Sequence, residues 1–158
     1  MSKLIITICS SADFYRKVIA LQTILEKHGY HVIVPLTATR MKASGDYDAS
    51  HYRLWLKDED HYPKKTALIR EHFREVERAD VVLVVNETKH GQANYIGGNV
   101  LLEMGLGFYL GKPIYVLNDI PKESNHREEI IALGAKPLKG DMSALLAALK
   151  KIRPASSE

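Results

Sequence analysis

Cysteine is nearly absent from this chain: Cys9 is the one thiol among 158 residues. An internal disulfide framework is excluded, and the usage fits a reducing compartment. Long apolar runs are missing too. No stretch reaches the roughly 18 residues a spanning helix needs, and the apolar part of the opening MSKLIITIC is too short for a signal peptide. Strong charge of one sign is also lacking, since the formal net charge is only +3 and the Lys and Arg residues do not gather into a stripe. These absences predict no nucleic-acid partner and no membrane partner, and make a cytoplasmic protein the default.

Several chemical signatures are missing as well. The seven histidines show no C-x2-C, H-x3-H or H-E-x-x-H spacing, so no metal site is expected. Neither a G-x-x-x-x-G-K-[ST] phosphate loop nor a G-x-G-x-x-G after the first strand is present, so no nucleotide cofactor is expected. Six residues separate Cys9 from Arg16, one more than the C-x5-R loop of small tyrosine phosphatases has. On its own pattern Cys9 reads as a small buried hydrophobe.

What is there is an alternation of short apolar runs and amphipathic segments. Residues 4–9 (LIITIC), 31–34 (HVIV), 80–86 (DVVLVVN) and 114–118 read as buried strands, and 136–138 as a possible edge strand. Helices are expected over 13–28, 64–78, 99–110, 123–133 and 142–152, the first preceded by serines and Asp13 as capping residues. In the third of these helices Asn99 is the expected N-cap, and in the second Ala67, Leu68, Phe73 and Val76 are the expected apolar positions. Residues 36–62 break the rhythm with acids and interleaved aromatics. They read as a lid or inserted loop holding a short helix near 50–57. The pattern predicts one doubly wound α/β domain over 1–153, with a mainly parallel sheet of about five strands. The tail at 154–158 is expected to fray.

In such sheets ligands bind beyond the carboxyl ends of the strands, at the switch in strand order. That rule selects the loops at 9–13, 86–99 and 118–124. The candidate substrate-binding residues are Cys9, Ser10, Ser11, Asp13, Asn86, Gly97, Gly98 and Asn99.

Glu103 stands out. Between Val100 and Leu110 every other residue is apolar or glycine, the composition of a helix buried all round. A carboxylate there is costly unless paired or used. The positive end of the helix favours its charged form, and burial opposes it. Two readings follow from the residue alone: an ion pair with a nearby Lys or Arg, or a nucleophile of the kind glycosyl transfer uses.

The run E-M-G-x5-G-K-P, formed by Glu103, Gly105, Gly111, Lys112 and Pro113, resembles the signature of nucleoside 2-deoxyribosyltransferase-like proteins, which include deoxynucleotide N-glycoside hydrolases. The segments I-T-I-C-S-S-A-D and R-A-D-V-V-L-V-V-N fall where that family has its first loop and third strand. The resemblance implies a flavodoxin-like fold, a homodimer, and a nucleoside or nucleotide substrate attacked at C1′ by Glu103. It also implies that Ser10, Ser11 and the following helix start hold the sugar or a 5′-phosphate. The chain departs from the family at Thr7, His72 and Asn99, where a tyrosine, an aspartate and a glycine are usual. At the aspartate's place, His72 is a candidate to protonate the departing base. A non-catalytic nucleotide or sugar-phosphate binding protein is the alternative reading.

Overall fold

A computed structural model describes residues 2–155. Among them, five strands form one sheet: β1 (Ile5–Ser10), β2 (His31–Ile33), β3 (Val81–Val85), β4 (Ile114–Val116) and β5 (Lys136–Pro137). Their spatial order is β2-β1-β3-β4-β5, and every pairing is parallel. The helices are α1 (Tyr15–Lys27), α2 (Leu36–Ser44), α3 (Tyr62–Arg78), α4 (Gly98–Tyr109), α5 (Arg127–Ala132) and α6 (Met142–Leu149). This is a doubly wound parallel α/β domain, as the alternating pattern predicts, and its strand order is the flavodoxin-like one that the resemblance implies.

Strand alternation divides the core into two layers. Ile6 and Ile8 of β1, Val81, Leu83 and Val85 of β3 and Tyr115 of β4 meet α1, α2 and α6 through Val18, Leu25, Met41, Leu145 and Leu149. Cys9, Val82, Val84, Ile114 and Val116 meet α3, α4 and α5 through Val76, Val100, Met104 and Ile130. Each fully buried aliphatic side chain contributes about 1.5–3 kcal/mol. That double burial explains why the strand sequences are continuously apolar.

From β1 the chain steps outward to β2, then returns across β1 to place β3 on its other side. The register runs from Ile6 opposite Val81 to Ser10 opposite Val85, so β1 and β3 end together. The switch in strand order therefore opens a crevice above Ser10 and Val85.

Several expectations are corrected. Residues 36–62 are not mainly loop: α2 occupies the first part and buries Thr37, Ala38 and Met41. Short 3-10 turns follow at Ala49–His51, Leu54–Leu56 and Glu59–His61 in place of a helix near 50–57. Next, α4 is capped by Gly97 and not Asn99, which makes Glu103 its sixth residue and moves it out of the first turn. Nor is that helix buried all round, because Leu102, Phe108 and Tyr109 are exposed. On α3, Ala67 is exposed where an apolar contact was expected, and His72 and Glu75 are buried. At the other end, the Ala155 N–H donates to Asp80 Oδ1 at 2.9 Å, and residues 156–158 of the expected tail lie outside the described residues. Asp80 also accepts from the Ile5 N–H through Oδ2, at 2.8 Å. No helix among the described residues is long and apolar enough to cross a membrane.

Candidate active site

A cleft of about 260 Å³ lies over the carboxyl ends of β1 and β3. Its floor is Ser10 and Ser11, and one wall is the start of α4 at Gly97, Gly98 and Asn99. The opposite side comes from α3, which presents Lys65 and His72, and from the inserted 3-10 turns, which bring Arg53 and Trp55. Lys89 and Tyr95 close the rim. The first N–H groups of α4 have no intrahelical partners, so this wall is electropositive.

Behind the cleft lies a buried acid-histidine pair. Nδ1 of His72 is 2.9 Å from Oε1 of Glu103, and the two residues are only 7% and 5% exposed. The pair forms because α3 and α4 pack side by side on the same layer, with His72 and Glu103 facing each other across the seam. Burial works against a charged imidazole. The hydrogen bond to Glu103 and its charge, with Glu75 adding to them, outweigh burial and hold His72 above its ordinary pKa. His72 reaches the cleft wall, and Glu103 does not. The Nε2 atom of His72 is buried and has no partner among the described residues. A buried polar atom left unpaired costs free energy, and the residue that carries it lines the cleft.

Polar groups extend the pair downward. Glu75 lies one turn beyond His72 on α3 and is 6% exposed. Its side chain makes no hydrogen bond or ion pair among the described residues; burial pushes its pKa up to about 7, with His72 opposing the rise and the negative charge of Glu103 adding to it. Cys9 faces the same layer, and its thiol is pushed upward by burial first and by the neighbouring Glu103 second. Thr7 shares that strand face, and its Oγ1 is buried without a partner. Burial likewise raises the Tyr15 hydroxyl's pKa, with Glu103 the next contributor. The α3–α4 layer of an otherwise apolar core thus holds several hydrogen-bonding side chains beneath the cleft, and Tyr15 of the α1 layer lines the cleft itself.

At the rim, Asp13 collects cations. Its Oδ2 accepts from Arg53 Nη2 at 2.8 Å and from Ser11 Oγ at 2.9 Å, and it pairs with Lys89 Nζ. Partial burial would raise its pKa, but the bonds from Lys89, Ser11 and Arg53 hold it well below the usual carboxylate range. Lys89 also donates to Ser11 Oγ at 2.8 Å. This cluster ties the insertion and the 87–97 turn to the loop after β1.

Of the residues expected at the substrate, the structure brings Ser10, Ser11, Gly97, Gly98 and Asn99 together on the cleft, with His72 beside them. Cys9, Asn86 and Asp13 are not on its wall. Cys9 is sealed in the core, because its place on β1 points it at α4. Asn86 is fully buried and clamps the ends of β3 and β4: its Oδ1 accepts from the Asn118 N–H at 3.0 Å, and its Nδ2 donates to the Asp119 carbonyl at 2.9 Å. Lys112 of the G-K-P run caps the end of α3, donating to the carbonyls of Glu77 at 2.7 Å and of Ala79. No protein-family model matches the chain, and no curated protein matches its sequence. The site's chemistry must therefore be read from its own groups. Sequence reasoning missed Arg53, Lys65 and Lys89, whose signal was only a basic residue here and there among aromatics. It also missed Glu75, which looks like any surface acid on an amphipathic helix.

Proposed function

We propose that the protein cleaves or transfers the N-glycosidic bond of a nucleoside or nucleotide through Glu103. The observation that carries this reading is the buried Glu103–His72 pair against a cleft at the switch point of the sheet. The hydrogen bond from His72 occupies Oε1, which leaves Oε2 to form an ester bond to C1′ as the bond from C1′ to the base nitrogen breaks. Both electrons of that bond leave with the base, and protonated His72 supplies the proton that neutralises it. Water, or a second base, then attacks C1′, frees the carboxylate and returns a proton to the histidine. A raised pKa suits His72 to the acid role near neutral pH. The match of Glu103, Gly105, Gly111, Lys112 and Pro113 to the deoxyribosyltransferase-like signature supports the same reading, and with it a homodimer. The exposed apolar stripe of α4 is the surface a second copy would cover.

A base-release assay across deoxynucleosides and their monophosphates tests the claim. Glu103→Ala and Glu103→Gln are expected to abolish turnover, by on the order of a thousandfold or more; activity surviving both would sink the nucleophile. One observation favours a second reading, a binding protein that does not turn its ligand over. Glu103 is not on the cleft wall, whereas its partner His72 is, so C1′ reaches the carboxylate only if side chains rearrange. Ligand-dependent thermal stabilisation without product would support that reading.

A further inference from the structure

Among the described residues, three cationic side chains line the cleft, Arg53, Lys65 and Lys89, and no carboxylate does. Asp13, just outside, pairs with Arg53 and Lys89. Lys65 is different. It makes no hydrogen bond or ion pair among the described residues, and its ammonium lies 5.3 Å from the centroid of the Trp55 ring. Burial draws its pKa down, Glu103 pulls it back in part, and Arg53 adds to the lowering. A cation that has lost water and gained only an aromatic face is under-compensated.

Charge counting makes the point specific. Three cations against one carboxylate leave about two positive charges at the cleft, and a phosphate monoester carries about 1.5 to 2 negative charges at pH 7. The buried Glu103–His72 pair adds little to that sum while His72 is protonated. Tyr95 and Trp55 supply aromatic surface for a base, and the cleft's 260 Å³ lies just below the roughly 300–1,000 Å³ of drug-sized ligand pockets, which disfavours a ligand larger than a mononucleotide.

We infer that Lys65 selects a nucleoside monophosphate over the nucleoside by binding its phosphate, with Arg53 and Lys89 completing the anion site. This inference rests on the nucleoside reading above and names the substrate class for that cleft. Bringing Lys65 and Trp55 into one contact also gives the inserted segment a purpose, because it places the aromatic neighbour over the anchor.

Trp55 is the chain's single tryptophan, so binding at Lys65 is directly visible in intrinsic fluorescence. The experiment titrates the four common deoxynucleoside 5′-monophosphates and the matching deoxynucleosides into the Glu103→Gln chain, where turnover does not consume the probe. At least one monophosphate is expected to bind about tenfold or more tightly than its nucleoside, with an affinity that falls as salt is raised. Adding Lys65→Gln is expected to erase that difference, and Lys65→Arg to keep it. Lys65 is half-buried and its side chain faces the Trp55 ring without a hydrogen bond or ion pair among the described residues, so a thermal melt checks that each variant stays folded. Equal binding of the two ligand classes, a preference that survives Lys65→Gln, or no binding by any monophosphate would overturn the inference. The two readings fail separately: the preference concerns binding without chemistry, whereas the glycosidic claim stands or falls on base release by the chain with Glu103 intact.

Discussion

Glu75 is the residue whose environment disagrees most with its chemistry. It is an acid in the interior, near a second acid and without a bonded partner, and its pKa is raised to about 7. Between the ordinary carboxylate range and that value, the folded chain holds a proton on Glu75 that the unfolded chain has released. Stability from this group therefore falls as pH rises through that window. His72 has the same sign: its folded pKa is raised, so its contribution is full below its unfolded value and is lost as pH climbs through the folded one. Asp13 has the opposite sign, since its pKa is depressed and its contribution is lost only as pH falls through the acid range. Glu75→Gln is thus expected to raise stability by about 1–2 kcal/mol at pH 8 and by little at pH 5. Denaturant melts at the two pH values check it; an equal gain at both, or a loss at pH 8, would contradict this account.

At the scale of elements, the seam between α4 and the sheet decides whether Glu103 meets His72. Gly107 permits the approach: a Cβ placed there would stand 3.0 Å from Cγ2 of Val82, a fully buried branched side chain with little room to give. Gly105, two residues earlier, has open space at the same test. Gly107→Ala should cost about 1–2 kcal/mol net, the crowding exceeding the helix gain, and Gly105→Ala should add about 0.5–1 kcal/mol. Thermal melts of the pair separate packing from propensity, because propensity alone would raise both. The insertion is held from its other side, by Arg53 on Asp13 and by the Lys65–Trp55 contact.

At the scale of the whole molecule, the outer stripe of α4 gathers several of the large apolar side chains that the fold leaves uncovered. Leu102, Phe108 and Tyr109 are 54%, 57% and 82% exposed on the helix whose inner face carries Glu103. Large apolar groups clustered in this way mark interaction surfaces. With the proposed homodimer, the wild-type mass should correspond to two chains and fall on dilution, and Phe108→Glu should leave one chain at all concentrations. Light scattering or analytical ultracentrifugation reads both. A wild-type protein that is monomeric throughout would remove the dimer from the reading.

The strands, their parallel arrangement and the loops that border the crevice were legible from local pattern, because strands buried on both faces must be apolar and a βαβ chain has few ways to wind. The strand order itself came only from the tertiary structure. Glu103 was legible for a similar reason: one acid in an apolar run violates the run. The α2 helix was not, since its Thr, Arg, Lys and Ser residues carry little periodicity, and Thr37, Ala38 and Met41 are buried by α1 and not by their own pattern. The exposure of Phe108 and Tyr109 was hidden because an apolar sequence is the same whether a neighbour covers it or not. Which groups surround Glu103 belonged wholly to the tertiary structure. His72 and Glu75 share a helix, but Cys9 and Glu103 come from distant parts of the chain, and Lys65, Arg53 and Lys89 converge only once the insertion folds over the cleft. Hydrophobic periodicity is a local quantity and so determines elements and their order. Charge compensation and the pairing of a buried acid depend on distances across the fold, which no window of sequence contains.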